Sequence, residues 1–562
     1  MCAQASATLI DSLLSGNTPI GIISSPSTIT EFTMDILSHS IYEPLIGKLV
    51  MFKHVEGGIP KLVIAQVKNI TAINRLVEDN AVKVILQSHG PLPNISGKDT
   101  KIAVLSLVSV YEEVEDENGQ PFLVESTLNT PPSTDSLVYE VTQEVLEFLP
   151  IEDRFYLGTI YGGDLPIPFI LKHYGEPAEG GWGEGFSFGI FGKSGSGKSV
   201  LAAMLILGFA RHKNMGIIIF DTQGEFSRNA FMDKVGLDFQ SLAREVKENR
   251  FEILSLDDIA LESSRTFFKL LDKVGFFEDL GVLQFGKKIM LINDLVMNYG
   301  NRDPSQLEFN DVYAFIRAWV RKKYRQPEPV LKRMDVRIAM DKWNLVHSLF
   351  NKETRTSIKD LVEMFVNGYI IIIDLSRFPE TLDALLQMPK EEVRAIVMRE
   401  VLDAVISRAN ELYQDGILTN GLIVVEEAHN YVPSYFRISK EESIERRELL
   451  SLIKDRVKET RKYGIGWMFV TQSTVDFNKE VYRQLHNYIF MYGLSIGADV
   501  DNVKSVLGAD LFELYKTFKD LKRTNRYQFI AMGPIVGLSS MGMAIAIECF
   551  SDINKFLEIN NL

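Results

Sequence analysis

Eight consecutive residues, Gly192, Lys193, Ser194, Gly195, Ser196, Gly197, Lys198 and Ser199, have the types and spacing needed to hold a nucleotide's phosphates. They fit the pattern G-x-x-x-x-G-K-S. Glycines let successive backbone N–H groups turn inward around an anion, and the helix that follows adds the positive end of its dipole. In that arrangement Lys198 reaches the β- and γ-phosphates, the Ser199 hydroxyl holds Mg2+, and Val200 completes the nucleotide-binding set as the helix opens. ATP and Mg2+ are the cofactors this chemistry calls for.

Binding is not hydrolysis, which needs acidic groups at the end of a neighbouring strand. Leu422-Ile-Val-Val-Glu-Glu-Ala-His429 supplies two. By position Glu426 is the metal-side group, ordering the Mg2+ shell through water, and Glu427 orients the attacking water. The usual pattern has Asp first; Glu426 takes its place here. Met468-Phe-Val-Thr-Gln472 ends in an amide able to contact both the γ-phosphate and that water. Asp221 and Glu225, after Ile218-Ile-Phe, either face the nucleotide or a neighbouring subunit or merely close an Asx turn; Asp374 reads the same way. Lys454–Lys462 holds Arg456 and Arg461, which suit either a solvated helix face or a cation delivered to another subunit's γ-phosphate. The most basic stretch, Arg317–Arg337, sets eight cations against Glu328 and Asp335, with Trp319 and Tyr324 between them. It suits a phosphate backbone or a plain solvated surface.

These groups need strands that end where they begin. Phe186–Phe191, Gly216–Phe220, Tyr369–Ile373, Leu422–Val425 and Trp467–Val470 are near-continuous apolar runs. Such runs mark strands buried on both faces, as in a parallel sheet covered by helices. Val200–Phe209 is helix-compatible, as the phosphate loop requires. Between about 235 and 365 the pattern is amphipathic and helical, with no comparable strand. Residues 18–110 are different: Ile20-Gly-Ile-Ile-Ser, Lys48–Phe52, Lys61–Val67 and Lys101–Leu105 are short strands, with turns at Gly57-Gly58, Ser96-Gly97 and Asn118-Gly119. Close spacing without helices predicts a small barrel or sandwich. Pro131-Pro132 and the Ser/Thr around them read as a linker. The stretch Tyr527–Ile547 has no charge, yet Gly533, Pro534, Gly537, Ser539, Ser540 and Gly542 break it into two strands rather than a membrane helix.

The composition of the 562 residues agrees with this: 46% are hydrophobic and 24% charged, which excludes a disordered or fibrous chain. The formal net charge of −14 excludes a non-specific polycation, so any nucleic acid must meet a local basic patch. Cys2 and Cys549 are the only cysteines, which rules out a disulfide framework and fits a reducing cytoplasm. The first basic residue is Lys48, so no positively charged leader is expected.

In its order of motifs the chain resembles the HerA family of hexameric DNA-translocating ATPases, within the wider HerA/FtsK superfamily. The resemblance rests on the barrel-like start, Tyr161-Gly-Gly, Gly192–Ser199, Asp221-Thr-Gln-Gly-Glu225, Val425-Glu-Glu-Ala-His429, Arg461-Lys-Tyr-Gly464 and Thr471-Gln472. It implies an α/β, RecA-like P-loop motor domain with a helical insertion and a small N-terminal β-barrel. The expected divisions are a barrel at 1–125, a linker at 126–160, a motor core at 161–235 and 366–530, the insertion at 236–365, and C-terminal strands with a bracing segment at 531–562. It implies a homo-hexamer around double-stranded DNA, with Arg456 or Arg461 as the finger between subunits. It further implies an effector docked on the barrel face: a NurA-like nuclease, a Sir2-like enzyme or another defence effector. Such pairs serve DNA-end processing or phage defence. No nuclease constellation is present in the chain itself, and the pore residues are not identifiable. Two other functions use the same residues: a hexameric scaffold that assembles and regulates an effector, and a secretion motor, which would need a membrane segment or partner.

Overall fold

The computed structural model describes residues 8–74, 77, 79–90, 99–174, 181–228, 236–377, 389–434, 444–519, 527–538 and 543–562. Cys2, the turn expected at Ser96-Gly97, and Ser539, Ser540 and Gly542 lie outside them.

Short β-branched runs at the start of the chain fold as strands β1 (Gly21–Ser24), β2 (Glu31–Ile36), β3 (Leu49–Glu56), β4 (Ile59–Ile73), β5 (Thr100–Glu115), β6 (Pro121–Glu125) and β7 (Leu137–Glu140). They pair in the order β2-β1-β7-β3-β4-β5-β6, and β5 pairs back onto β2, closing six strands into a barrel with β6 outside the ring. Alternate residues such as Phe32, Met34, Val50, Phe52, Val63 and Leu105 fill the interior. Gly57 and Gly58 form the two-residue turn between β3 and β4, with φ of +59° and +88° that side-chain-bearing residues resist.

The structure places the boundary differently from the expected division at 125. β7 lies inside the expected linker and closes the barrel through β1 and β3. Only four residues long and following a Pro-rich stretch, it is too brief to show a readable alternation.

The second sheet contains β8 (Arg154–Ile160), β9 (Pro166–Ile170), β10 (Ser187–Phe191), β11 (Gly216–Asp221), β12 (Phe251–Ser255), β15 (Ile370–Asp374), β16 (Gly421–Val425), β17 (Ile465–Thr471), β18 (Asn487–Met491), β19 (Gln528–Met532) and β20 (Ile545–Cys549). The two-residue strands β13 (Ile259–Ala260) and β14 (Thr356–Ser357) pair separately. The order is β12-β15-β11-β16-β17-β10-β18-β19-β20-β8-β9. The first seven are parallel, and antiparallel pairing begins at β19. Residues of the central strands alternate between two cores: Ile218, Phe220, Ile423 and Val425 face one, and Ile217, Ile219, Leu422 and Val424 the other. That double burial is why the runs are continuously apolar. β9, with Pro166 and Pro168, sits at the edge, where missing N–H donors do least harm.

Three strands contradict the purely helical reading of 236–365: the short pair β13 and β14, and β12, which pairs with β15 at the other edge of the large sheet. Its residues are interrupted by the exposed Glu252 and end in Ser255, so it lacks the continuous apolar signature of its neighbours. Helices Ser264–Lys273, Phe285–Tyr299, Phe309–Lys323 and Val336–Ser348 then pack around Phe267, Phe276, Phe309 and Trp343. The uncharged stretch Tyr527–Ile547 supplies β19 and β20, paired antiparallel from Gln528↔Glu548 to Ala531↔Ile545. Among the described residues no helix is long and apolar enough to cross a membrane.

Gln66, fully buried, ties the barrel to the second sheet. Its amide donates to Gly47 O at 2.7 Å and Ala546 O at 3.3 Å, and its carbonyl accepts from Ala546 N at 3.2 Å. Gln66→Leu orphans these backbone groups. A loss of about 1–3 kcal/mol is expected in denaturant unfolding; an unchanged midpoint would show that the tie carries no stability.

Candidate active site

Parallel strands bring all their carboxyl ends to one edge, which is where open α/β sheets bind ligands. Phe191 stands level with Thr471, and Phe220 with Val425. The residues that follow each strand therefore emerge side by side: Gly192, Gln472, Glu426 with Glu427, and the loop after Asp221.

The phosphate loop joins β10 to helix Lys198–Ala210, as the pattern requires. Its root is pinned on both sides, by Gly192 N to Thr471 O at 3.3 Å and Lys193 N to Tyr492 O at 3.1 Å. Gly195 and Gly197 adopt φ of +79° and +95°. Lys198 folds back across the loop, its Nζ 3.1 Å from Lys193 O, and is only 8% exposed. Burial lowers its pKa, and the nearby carboxylates of Glu427, Glu225 and Glu426 oppose that shift. It is a cation held over the loop by surrounding negative charge. Ser199 stands beside it at the first turn of the helix, partly exposed.

The two glutamates after β16 have different environments. Glu426 is 3% exposed, and its Oε2 accepts the backbone N–H groups of Thr222 and Gln223, each at 3.0 Å. Burial, followed by the adjacent Asp221 carboxylate, pushes its pKa well above the ordinary carboxylate range. Glu427 sits in the left-handed region at φ +47°, ψ +46°. There its Oε1 accepts a hydrogen bond from Gln472 Nε2 at 2.8 Å, and its Oε2 lies 3.2 Å from His429 Nδ1. A non-glycine residue in this conformation is strained, and such strain collects at functional sites. Thr471 Oγ1, 3.3 Å from the same His429 nitrogen, completes the group.

Asp221 is fully buried and spent on its own loop. Oδ1 accepts the N–H groups of Gly224 and Glu225 at 2.8 and 3.1 Å; Oδ2 accepts those of Phe226 and Ser227 at 3.1 and 2.7 Å. Of the two readings left open for it, loop closure is the one its contacts match. That loop in turn presents Glu225 toward Lys198, with Glu225 Oε2 buried and without a hydrogen-bond partner. Asp374 likewise binds Ser376 N, at 2.9 Å.

The arginines stand apart from this cluster within one chain. Arg456 pairs with Glu459 on its own helix. Arg461 pairs with Glu184 at 2.5 Å and lies 3.1 Å from His486 Nε2. In Arg317–Arg337 the aromatics turn inward, with Trp319 buried and its Nε1 donating to Asp294 at 2.7 Å, so neither stacks on a base. Tyr324 is half-buried beneath Lys287. The cations remain outside, among them Arg321, Lys322, Arg325, Lys332, Arg333 and Arg337. Sequence reasoning missed His429 as a partner of Glu427; its signal was its place two residues on, in a run already marked as chemical.

Residues 186–389 match the family model described as helicase HerA, central domain. Over this stretch, about a third of its length, the chain is similar to that domain. The match begins just before β10 and ends before Glu426. Among solved structures, the genome-packaging NTPase B204 of Sulfolobus turreted icosahedral virus 2, bound to ATP-gammaS, is 11% identical, with 65% of this chain and 98% of that one covered and a TM-score of 0.30. VirB4 of Thermoanaerobacter pseudethanolicus is 16% identical, covering 71% of this chain and 96% of that one, with a TM-score of 0.37. The bacterial conjugative coupling protein TrwBdeltaN70 is 13% identical, covering 73% and 92%, with a TM-score of 0.36. No curated protein matches the chain.

Two substitutions probe this site through stability alone. Glu426→Gln replaces a carboxyl whose folded pKa is raised. Such a group favours folding when protonated, at low pH, and loses that contribution as pH rises toward its folded value. The variant is therefore expected to gain stability over the parent as pH climbs above the ordinary carboxylate range, and parallel pH profiles would refute this. Glu427→Gly relieves the left-handed strain; its melting midpoint is expected to hold or rise, by up to about 1 kcal/mol equivalent.

Proposed function

We propose that this chain is the subunit of a homo-hexameric, ATP- and Mg2+-dependent ring that translocates double-stranded DNA. It works in the cytoplasm, without a membrane anchor, together with an effector enzyme such as a nuclease held on the barrel face. Its setting is DNA-end processing or phage defence. The observation that carries the reading is the convergence of Lys198, Glu427 and Gln472 at one sheet edge, with Glu427 hydrogen-bonded to Gln472.

Each residue has a role there. Lys198 neutralises the β/γ-phosphates. Glu427 accepts a proton from the attacking water, and Gln472, bonded to Glu427, passes the state of the γ-phosphate to β17. Among the described residues no cluster of three or more His, Cys, Asp or Glu side chains is arranged to hold a metal alone. The Ser199 hydroxyl fits Mg2+, an ion that keeps several waters and takes further ligands from substrate phosphate. Glu426, buried and bonded to backbone N–H groups, supports that shell through water rather than directly. When bound, Mg2+ neutralises charge on the phosphates. Arg456 or Arg461, supplied by the next subunit, stabilises the γ-phosphate charge that develops. The exposed cations of Arg317–Arg337 give an acidic chain a local surface for phosphate backbone.

ATP hydrolysis with and without duplex DNA tests the reading. DNA is expected to stimulate turnover, with the stimulation falling as salt rises. Lys198→Ala should abolish hydrolysis, and Glu427→Gln should lower kcat at least about 100-fold while ATP still binds. Robust hydrolysis indifferent to DNA would overturn the translocase.

A further inference from the structure

The phosphate loop has a neighbour that its chemistry has not used. A Cβ placed on Gly197 would lie 2.0 Å from Tyr527 Cδ1 and 2.3 Å from Tyr527 Cε1, so the tyrosine ring rests against the loop glycine. The topology explains how it gets there. β19 runs antiparallel to β18, with Phe529 level with Met491, so β19 starts at the carboxyl edge where the parallel strands end. Tyr527 immediately precedes it, in the row of Phe529 and Ala531 that faces the same core as helix Lys198–Ala210. The ring at its start meets the loop at Gly197, one residue before the helix.

The position is held firmly. The Tyr527 carbonyl accepts from Cys549 N at 2.8 Å. The next side chain, Gln528, accepts from Lys519 N at 3.0 Å and donates to Glu548 at 3.1 Å. The ring itself is half-buried at the rim of the core, and among the described residues no other aromatic ring pairs with it. An aromatic side chain fixed at its backbone, part open to solvent and touching the glycine beside Lys198 has the features of a stacking platform.

We propose that Tyr527 carries the base of the bound nucleotide, resting on the nucleotide-site reading above. The triphosphate lies along Gly192–Ser199, and the base leaves the loop past Gly197 to stack on the phenol ring. Because every base has a π-face, the platform serves adenine and guanine alike and adds affinity rather than base selection. Gly197 is then doubly constrained, by its left-handed backbone and by the ring that any side chain there would strike.

Calorimetric titration of the full-length protein with ADP and with inorganic pyrophosphate separates base from phosphate. In Tyr527→Ala, ADP binding should weaken about 10-fold or more while pyrophosphate binding changes less than about 2-fold. Tyr527→Phe should bind both as the parent does. Tyr527→Leu, which keeps most of the packing volume, should behave as Tyr527→Ala, and circular dichroism confirms that each variant folds. Etheno-ADP fluorescence should be quenched on binding the parent and not on binding Tyr527→Leu. Equal weakening of ADP and pyrophosphate would mean that Tyr527 only props the loop, and unchanged ADP affinity would mean no stacking; either overturns the inference. A parent protein that binds neither ligand overturns the nucleotide site itself.

Discussion

A lysine set among three carboxylates is the interaction on which the site depends. Lys198 is mostly withdrawn from water, and its charge is sustained by Glu225, Glu426 and Glu427. Those carboxylates arrive from two separate parts of the sequence. Glu225 comes from the loop that Asp221 closes, and the two glutamates follow β16. Their meeting at one cation is possible because β10, β11, β16 and β17 run parallel and end together. A γ-phosphate entering this cluster competes for the same cation, so its arrival changes the balance of charge at Glu427 and Gln472. In the function proposed above, that competition is how nucleotide state would be coupled to the rest of the sheet.

The two glutamates show how burial divides labour between like groups. Glu426 is enclosed, bonded to two backbone N–H groups and placed against Asp221, which disfavours its charge. Glu427 lies one residue further on, beyond the strand, where the chain turns left-handed and the carboxylate meets Gln472 and His429. The backbone strain at Glu427 is local and the sheet around it is rigid, so the geometry is over-determined by its surroundings.

Two of the hydrogen bonds between the barrel and the second sheet come from Gln66. It bonds to Gly47 in the barrel region and to both the N–H and carbonyl of Ala546 in β20. β20 pairs with β19, whose first residue follows Tyr527. Backbone pairing that tolerates little slip therefore runs from the barrel to Tyr527, whose ring touches the phosphate loop.

Much of the site was legible from sequence because phosphate chemistry constrains neighbouring residues. The loop Gly192–Ser199, the apolar strands and the acidic pair after Val425 are local patterns, each set by its own backbone. The pairing of Glu427 with Gln472, 45 residues apart, was legible only as two strand ends. Which strands lie side by side, and hence that His429 and Tyr527 reach the site, depends on sheet order. So does the closing of the barrel by β7, and so does β12 at the sheet edge, where Glu252 and Ser255 break the continuous apolar signal. Glycine conformations and side-chain chemistry are local properties, so the pattern of the phosphate loop and the identity of the acidic groups can be read from short stretches of the chain. Which carboxylates surround Lys198 and which aromatic ring touches Gly197 follow from strand order and antiparallel register, which no short stretch encodes.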